Sequence, residues 1–207
     1  MLLKKYSSGW INNFTDLKRE IEIALKGITH TIEHVGSTSV PNLDSKPIID
    51  IDIIYSTQQD FEKIKLGLEK TGYFHNGNQG IVDRDVFKRN GTLTNEILDT
   101  AKHHLYVCPI NSKALERHIL SRNYLRKNNW ARIKYQQMKY ELAEKANQDK
   151  KIYACLKELH VNDFIDSIIE EEKRTHYKNI KSSNGVFTAG LKAWLENPAL
   201  KSCLNLQ

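Results

Sequence analysis

Asp50 and Asp52 stand one residue apart within residues 47–55, an apolar run rich in isoleucine. A run of that kind reads as a β-strand. Side chains alternate along a strand, so the two carboxylates share one face, and Ile49, Ile51 and Ile53 point to the opposite, buried face. Side-by-side aspartates repel each other and are tolerable where they share a cation. Mg2+ takes carboxylate oxygens together with substrate phosphates. Just upstream stands Gly36-Ser37, where glycine lets backbone N–H groups approach a phosphate. Ser37 offers a hydroxyl or an N–H, Thr38 and Ser39 add donors to the same turn, and Lys46 suits a phosphate as a point charge. Plainer alternatives stand beside these roles: solvent-facing aspartates on an edge strand, a turn or N-cap serine, a solvated lysine.

The arrangement Val35-Gly36-Ser37, residues 38–49, then Asp50-Ile51-Asp52-Ile53 resembles the signature of the DNA polymerase β-like nucleotidyltransferase superfamily. Within it, His34-Val35-Gly36-Ser37-Thr38-Ser39-Val40-Pro41 followed by Lys46-Pro47-Ile48-Ile49-Asp50 is similar to the hallmark of the GrpB family. Gly80-Ile81 with Arg84, Phe87 and Arg89, the strand His103-His104-Leu105-Tyr106-Val107, and Asn123-Tyr124-Leu125-Arg126 look like further stretches of that family. The resemblance covers residues 5–172. It implies an α+β fold, a small mixed β-sheet with flanking helices followed by a helical C-terminal half. The cleft would lie between the sheet edge carrying Asp50 and Asp52 and the helices after residue 111.

The superfamily reaction is attack by a hydroxyl on the α-phosphate of a nucleoside triphosphate, with Mg2+ (or Mn2+) holding the attacking and leaving oxygens in line. Catalysis is then positioning and charge neutralisation. The resemblance implies Asp50 and Asp52 as catalytic and metal-binding residues. It implies Gly36, Ser37, Thr38, Ser39, Lys46, Arg84 and Arg89 as phosphate-binding, arginine being suited to bidentate contact. Arg84 and Arg89 also read as surface partners of Asp83, Asp85 or another acid. The scheme uses a third carboxylate on a neighbouring strand, and residues 103–107 offer histidines instead. Only one of two successive strand residues can reach Asp50 and Asp52, and His104 is preferred over His103, as ligand or general base. Asp83, Asp85, Glu96 and Asp99 stay open as the third acid. Without one, the site is a nucleotide-binding or regulatory module with no turnover. His34 reads as a pocket-rim or a satisfied core histidine. Tyr124 and Arg126 read as pocket-facing residues of the helical half, and Trp10 and Trp130 as packing.

The chain has 207 residues, 40% of them hydrophobic and 27% charged, as expected of an ordinary soluble domain. No apolar run approaches the roughly 20 residues that span a bilayer. The N-terminal MLLKKYSSGW lacks the features of a secretory signal. Cys108, Cys155 and Cys203 are widely separated and form neither a metal-ligand nor a disulfide pattern, which suits a reducing cytoplasm. The formal net charge is +6 with a pI near 9.1, favouring anionic partners: a nucleoside triphosphate first, with an unknown acceptor. Residues 122–132 are the densest basic and aromatic stretch, and the basic 117–139 region around it leaves RNA binding as an alternative. No P-loop, dinucleotide fingerprint, zinc spacing or hydrolase elbow is present.

Apolar spacing of three and four predicts a helix over 7–27, then strands at 28–34 and 48–55 separated by a loop or short helix at 38–46. A helix at 58–71, a strand at 73–75, a turn at 76–80 and a strand at 86–89 follow. Residues 92–102 carry no clean signal. A strand at 104–108 ends at Pro109, and helices are expected at 111–127, 129–150 and 151–173. The chain thus divides into an α/β core (1–110), a helical half packing on it (111–174), and a linker and extension (175–207). That extension docks on the core, pairs with a second subunit or stays disordered.

Overall fold

The structure is a computed structural model; it describes residues 1–182, with side chains described through residue 175. In chain order the elements are α1 (Gly9–Ala24), β1 (Thr31–Val35), a 3-10 turn (Ser37–Ser39), β2 (Ile49–Tyr55), α2 (Gln58–Glu69), β3 (Tyr73–His75) and β4 (Asp85–Arg89). They continue with α3 (Glu96–Thr100), β5 (His103–Pro109), α4 (Lys113–Lys127), α5 (Asn129–Lys145) and α6 (Lys150–Ser182). The strand order is β1-β2-β5-β4-β3. The β2–β5 pair is parallel and the other pairs are antiparallel, so the sheet is mixed.

Alternation along β2 divides the two faces of the sheet. Ile49, Ile51 and Ile53 are at most 1% exposed, packed against Leu17, Ile21 and Leu25 of α1 and Phe61, Ile64 and Leu68 of α2. Each such side chain contributes about 1.5–3 kcal/mol by leaving water. The opposite face carries Asp50 and Asp52 and is crossed by α4. The aspartates therefore sit on an interior strand, not at the expected sheet edge: β1 pairs along the outer side of β2 through all five of its residues.

Residues 92–102 contain a helix that periodicity did not announce. The Asn95 side chain accepts from the N–H groups of Ile97 and Leu98, capping α3, and Leu98 is buried in the core. A second core joins α4, α5 and α6, and it includes Leu2, Leu3, Val40 and Leu43. The expected boundary at residue 110 is thus crossed by packing. Asp44 marks the joint. Its carboxylate accepts from the Tyr6 N–H at 2.9 Å and the Tyr140 hydroxyl at 2.7 Å, and buried Lys139 donates to its carbonyl at 2.5 Å.

The helix expected to stop near residue 173 runs on as α6 to Ser182. The sequence holds no glycine or proline between Pro109 and Gly185, so nothing near Thr175 breaks it. Cys203 and most of the expected linker and extension lie outside the described residues.

Candidate functional site

Strand register assembles the site. Val35 pairs with Asp50 across β1–β2, and His104 lies beside Asp50 across β2–β5. Tyr106 and Glu33 flank Asp52 on its two sides. Paired residues share a face, so the carboxylates, His104 and Tyr106 all look toward α4. Where β1 ends, Gly36 takes a left-handed backbone with φ of 70°, and a Cβ there would stand 2.2 Å from Asp50 Oδ2. Only glycine lets the turn close onto that carboxylate.

Asp50 is partly exposed and accepts from His104 Nδ1–H at 2.9 Å. Asp52 is wholly buried and accepts from His118 Nδ1–H of α4 at 2.9 Å. Its other oxygen, Oδ1, is buried and makes no hydrogen bond. Arg122 ties α4 to β1, bonding Glu33 at 2.5 Å and the His34 carbonyl at 2.9 Å. Between the sheet and α4, α5 and α6 opens a cavity of about 430 Å³. Gly36, Ser37, Lys46, Asp50 and His104 line it from the sheet and the segments leading into it, and His118, Tyr135, Lys157, Glu158 and Val161 belong to its helical side. The arrangement can hold an anion on the turn and the lysines, and a cation at Asp50; Asp52 is buried and outside the lining.

Of the residues singled out in the sequence, Gly36, Ser37, Lys46, Asp50 and His104 meet in this cavity. Lys46 has its pKa lowered, first by burial and then by the charge of Lys157, with Asp50 opposing. Thr38 and Ser39 do not face the cavity. Thr38 is buried, donates to the Ile48 carbonyl at 3.1 Å and meets His34 Nε2, and the Ser39 hydroxyl donates to the Gly36 carbonyl at 2.6 Å. They hold the turn shut instead of donating from it. Arg89 is also placed elsewhere: its guanidinium is spent on Asp99 and on the Thr71 and Leu93 carbonyls. Arg84 lies with its guanidinium 4.6 Å from the centre of the Tyr106 ring, outside the cavity lining, its Nε buried without a partner.

Neither histidine alternative reaches the carboxylates. His103 turns to the other face and meets the Tyr73 hydroxyl at 2.6 Å. His34 is a core histidine, stacked on Phe14 with centroids 4.5 Å apart, its pKa pushed down to about 4 by burial and the nearby Arg126. The candidate third acids are elsewhere too. Asp85 pairs with His75, Asp99 with Arg89, and Asp83 and Glu96 are exposed outside the cavity. Arg126 donates twice to the Ser39 carbonyl, and Tyr124 packs edge-on to Trp130, so neither faces the cavity. Trp10 is core, whereas Trp130 is 56% exposed. The sequence reading missed His118, Tyr106 and Lys157. A histidine on a mixed-charge helix carries no signal of its own, although the spacing of His118 and Arg122 puts them on one helical face.

A family model described as "GrpB protein" matches residues 1–182. The glutamate-rich protein GrpB of Alkalihalophilus pseudofirmus is 30% identical over 172 residues, covering 83% of this chain and 95% of that protein. YqkA of Bacillus subtilis is 30% identical over 138 residues, which span 67% of this chain but 38% of YqkA. Among solved structures, the conserved protein GrpB of Enterococcus faecalis superposes with a TM-score of 0.68 at 27% identity, covering 84% of this chain and 99% of that one. A complex of Cid1 with its short product ApU gives a TM-score of 0.48 at 14% identity over 68% of this chain and 42% of that one.

Proposed function

This chain belongs to the GrpB family, and on that footing we propose that it is a divalent-cation-dependent nucleotidyltransferase acting at Asp50 and Asp52. The acceptor's hydroxyl oxygen bonds to the α-phosphorus of a nucleoside triphosphate, and the bond from that phosphorus to the β-phosphate bridging oxygen breaks. The products are an acceptor–nucleoside monophosphate ester, pyrophosphate and one proton.

The observation that carries this reading is the packing of the Asp50 carboxylate onto Gly36. The phosphate-type turn and the first carboxylate meet at one wall of one cavity. The uncommitted Oδ1 of Asp52 supports a cation shared between the two carboxylates. Among the described residues no three His, Cys, Asp or Glu side chains group as a metal site. A cation here would complete its oxygens from phosphate and water, as Mg2+ commonly does. The same carboxylate oxygens would also suit Mn2+. When bound, the cation would neutralise charge developing on the phosphate oxygens. Gly36 and Ser37 would receive the phosphates, Lys46 would offset their charge, and His104 would orient Asp50.

A second reading has an observation in its favour. The β5 positions beside Asp50 and Asp52 carry His104 and Tyr106, not a third acid, which fits a module that binds nucleotide without transferring it. The RNA reading loses support. Arg122, Arg126 and Arg132 of the basic stretch donate inward, to Glu33 and to the His34, Ser39 and Asn42 carbonyls. No helix among the described residues is long and apolar enough to cross a membrane. A cytoplasmic setting is part of the proposal, and association through residues 175–207 is a further part.

Thermal unfolding with each of four nucleoside triphosphates, with and without Mg2+ or Mn2+, tests nucleotide binding. A ligand that binds the folded state raises the midpoint by mass action. The expected result is a cation-dependent rise with one nucleotide that Asp50→Asn abolishes. A rise indifferent to both cation and Asp50 would refute the assignment.

A further inference from the structure

We infer that the outer edge of β1 and a second cavity beside it form a docking site for an extended, uncharged peptide segment of a partner protein. The segment would add to the sheet as a further strand and place an aliphatic side chain against α4. The inference goes beyond the nucleotide reading and does not depend on it.

β1 lies at one end of the sheet and pairs with β2 alone. Main-chain groups of an edge strand that do not bond its one neighbour point away from the sheet. Among the described residues, 29–35 make no main-chain hydrogen bond to another main-chain group beyond the β1–β2 pair. Edge strands are commonly guarded by proline, by lysine or by being short. The opposite edge, β3, has three residues. β1 has five and holds neither proline nor lysine. Its one acid, Glu33, is turned onto Arg122, which also donates to the His34 carbonyl at 2.9 Å. Arg122 thus occupies the edge at His34 and leaves the part from Thr31 to Glu33 open.

A cavity of about 350 Å³ lies beside that part. Thr31, Glu33 and Ile54 line it from the sheet, and Ile110, Leu115 and Ile119 from the turn after β5 and from α4. Ile54, Ile110 and Ile119 are only half-buried, so an aliphatic surface is left open. Thr31 pairs with Ile54 across β1–β2, and Glu33 is two residues on, so the three share one face of the sheet. A strand added outside β1 would turn alternate side chains to that same face, into the space between β1 and α4.

Charge favours a neutral occupant. The lining holds two acids and two bases that answer each other, Glu33 with Arg122 and Glu116 with Lys113. A charged side chain entering here would lose water and meet no unmatched partner. An extended main chain supplies what a small apolar molecule lacks, donors and acceptors spaced to match a strand edge. The aliphatic cavity then selects the side chain.

The test uses the full chain and the blocked peptide acetyl-Gln-Thr-Val-Thr-Leu-Thr-Gln-amide, whose valine and leucine share one face. In a nuclear magnetic resonance titration the peptide should shift the amide signals of Thr31, Ile32, Ile110 and Ile119. Methylating the main-chain nitrogens of one alternate set of peptide residues should abolish binding. Methylating the other set should spare it, because only one set faces β1. Aspartate in place of the peptide's valine and leucine should weaken binding about tenfold or more, and so should Ile119→Lys in the protein. No binding overturns the site, and so does equal binding by the two methylated forms, which would mean apolar adhesion without strand pairing. Hydrogen exchange of the β1 amides in the free protein separates the other occupants. Fast exchange at the outward-facing amides supports an open edge. Slow exchange at every protein concentration would mean that this chain covers its own edge, and slow exchange only at high concentration that a second copy does. Either overturns the partner segment.

Discussion

Gly36 is the position where one added carbon has the most direct consequence. Its φ of 70° is strained for any other residue, and a Cβ would overlap the Asp50 carboxylate. Gly36→Ala should lose roughly 1–3 kcal/mol from backbone strain and also displace Asp50. Gly27→Ala is the control, since Gly27 shares the left-handed backbone with φ of 82° but has nothing within 4 Å. Urea unfolding should show both variants weakened, with nucleotide binding lost only at Gly36. Equal binding by the two variants would contradict a role for the turn at Asp50. His34 sets a pH dependence. Its folded pKa of about 4 lies below the ordinary 6.5, so between those values the unfolded chain binds the extra proton. Stability therefore falls as pH drops from 6.5 to 4, by roughly 3 kcal/mol from this residue, and levels off below. His34→Gln should lack that step in unfolding curves recorded against pH.

The contact between α4 and the sheet rests on the Asp52–His118 hydrogen bond and the Glu33–Arg122 ion pair. Because Asp52 is fully buried, His118→Ala strands a carboxylate and should cost about 3 kcal/mol, whereas His118→Gln keeps a donor and should recover most of it. Denaturant midpoints of the two variants distinguish these outcomes, and equal stability would mean the pair does not hold α4. The strand β2 was readable because isoleucine alternates with aspartate, and the same parity limited the neighbouring strand to one of His103 and His104. His118 was not readable. Its partner lies 66 residues away, and nothing local marks a helix residue that will meet a strand. Thr38 and Ser39 match Ser37 in type, so sequence alone gave all three one role. A bond from Thr38 to Ile48 and a local one from Ser39 back to Gly36 turn two of them inward. Arg89 was not matched to Asp99 because Asp99 sits in the segment without periodicity, where the capped helix α3 brings it back.

The N-terminal residues, the segment around residue 44 and the helices after residue 111 pack as one body through Asp44 and the second core. Burial pushes the Asp44 carboxyl upward, but hydrogen bonds from Tyr140, the Tyr6 N–H and Lys5 outweigh it and hold the pKa below the usual value. Asp44→Ala would leave these donors unsatisfied and should cost roughly 3 kcal/mol. For a chain of this size that lowers the melting midpoint by about 2–4 °C per kcal/mol. An unchanged midpoint would mean the two parts do not depend on this joint. What the whole molecule does with its cavity is decided by following the α-phosphate. Nucleoside triphosphates labelled there are incubated with Mn2+ or Mg2+ and size-fractionated RNA, protein and small-molecule acceptors, using wild type and Asp50→Asn. The transferase account predicts label joined to one acceptor fraction with pyrophosphate released in equal amount, both lost in Asp50→Asn. Cation-dependent nucleotide binding with no pyrophosphate released in any fraction would contradict it and leave a binding module in its place.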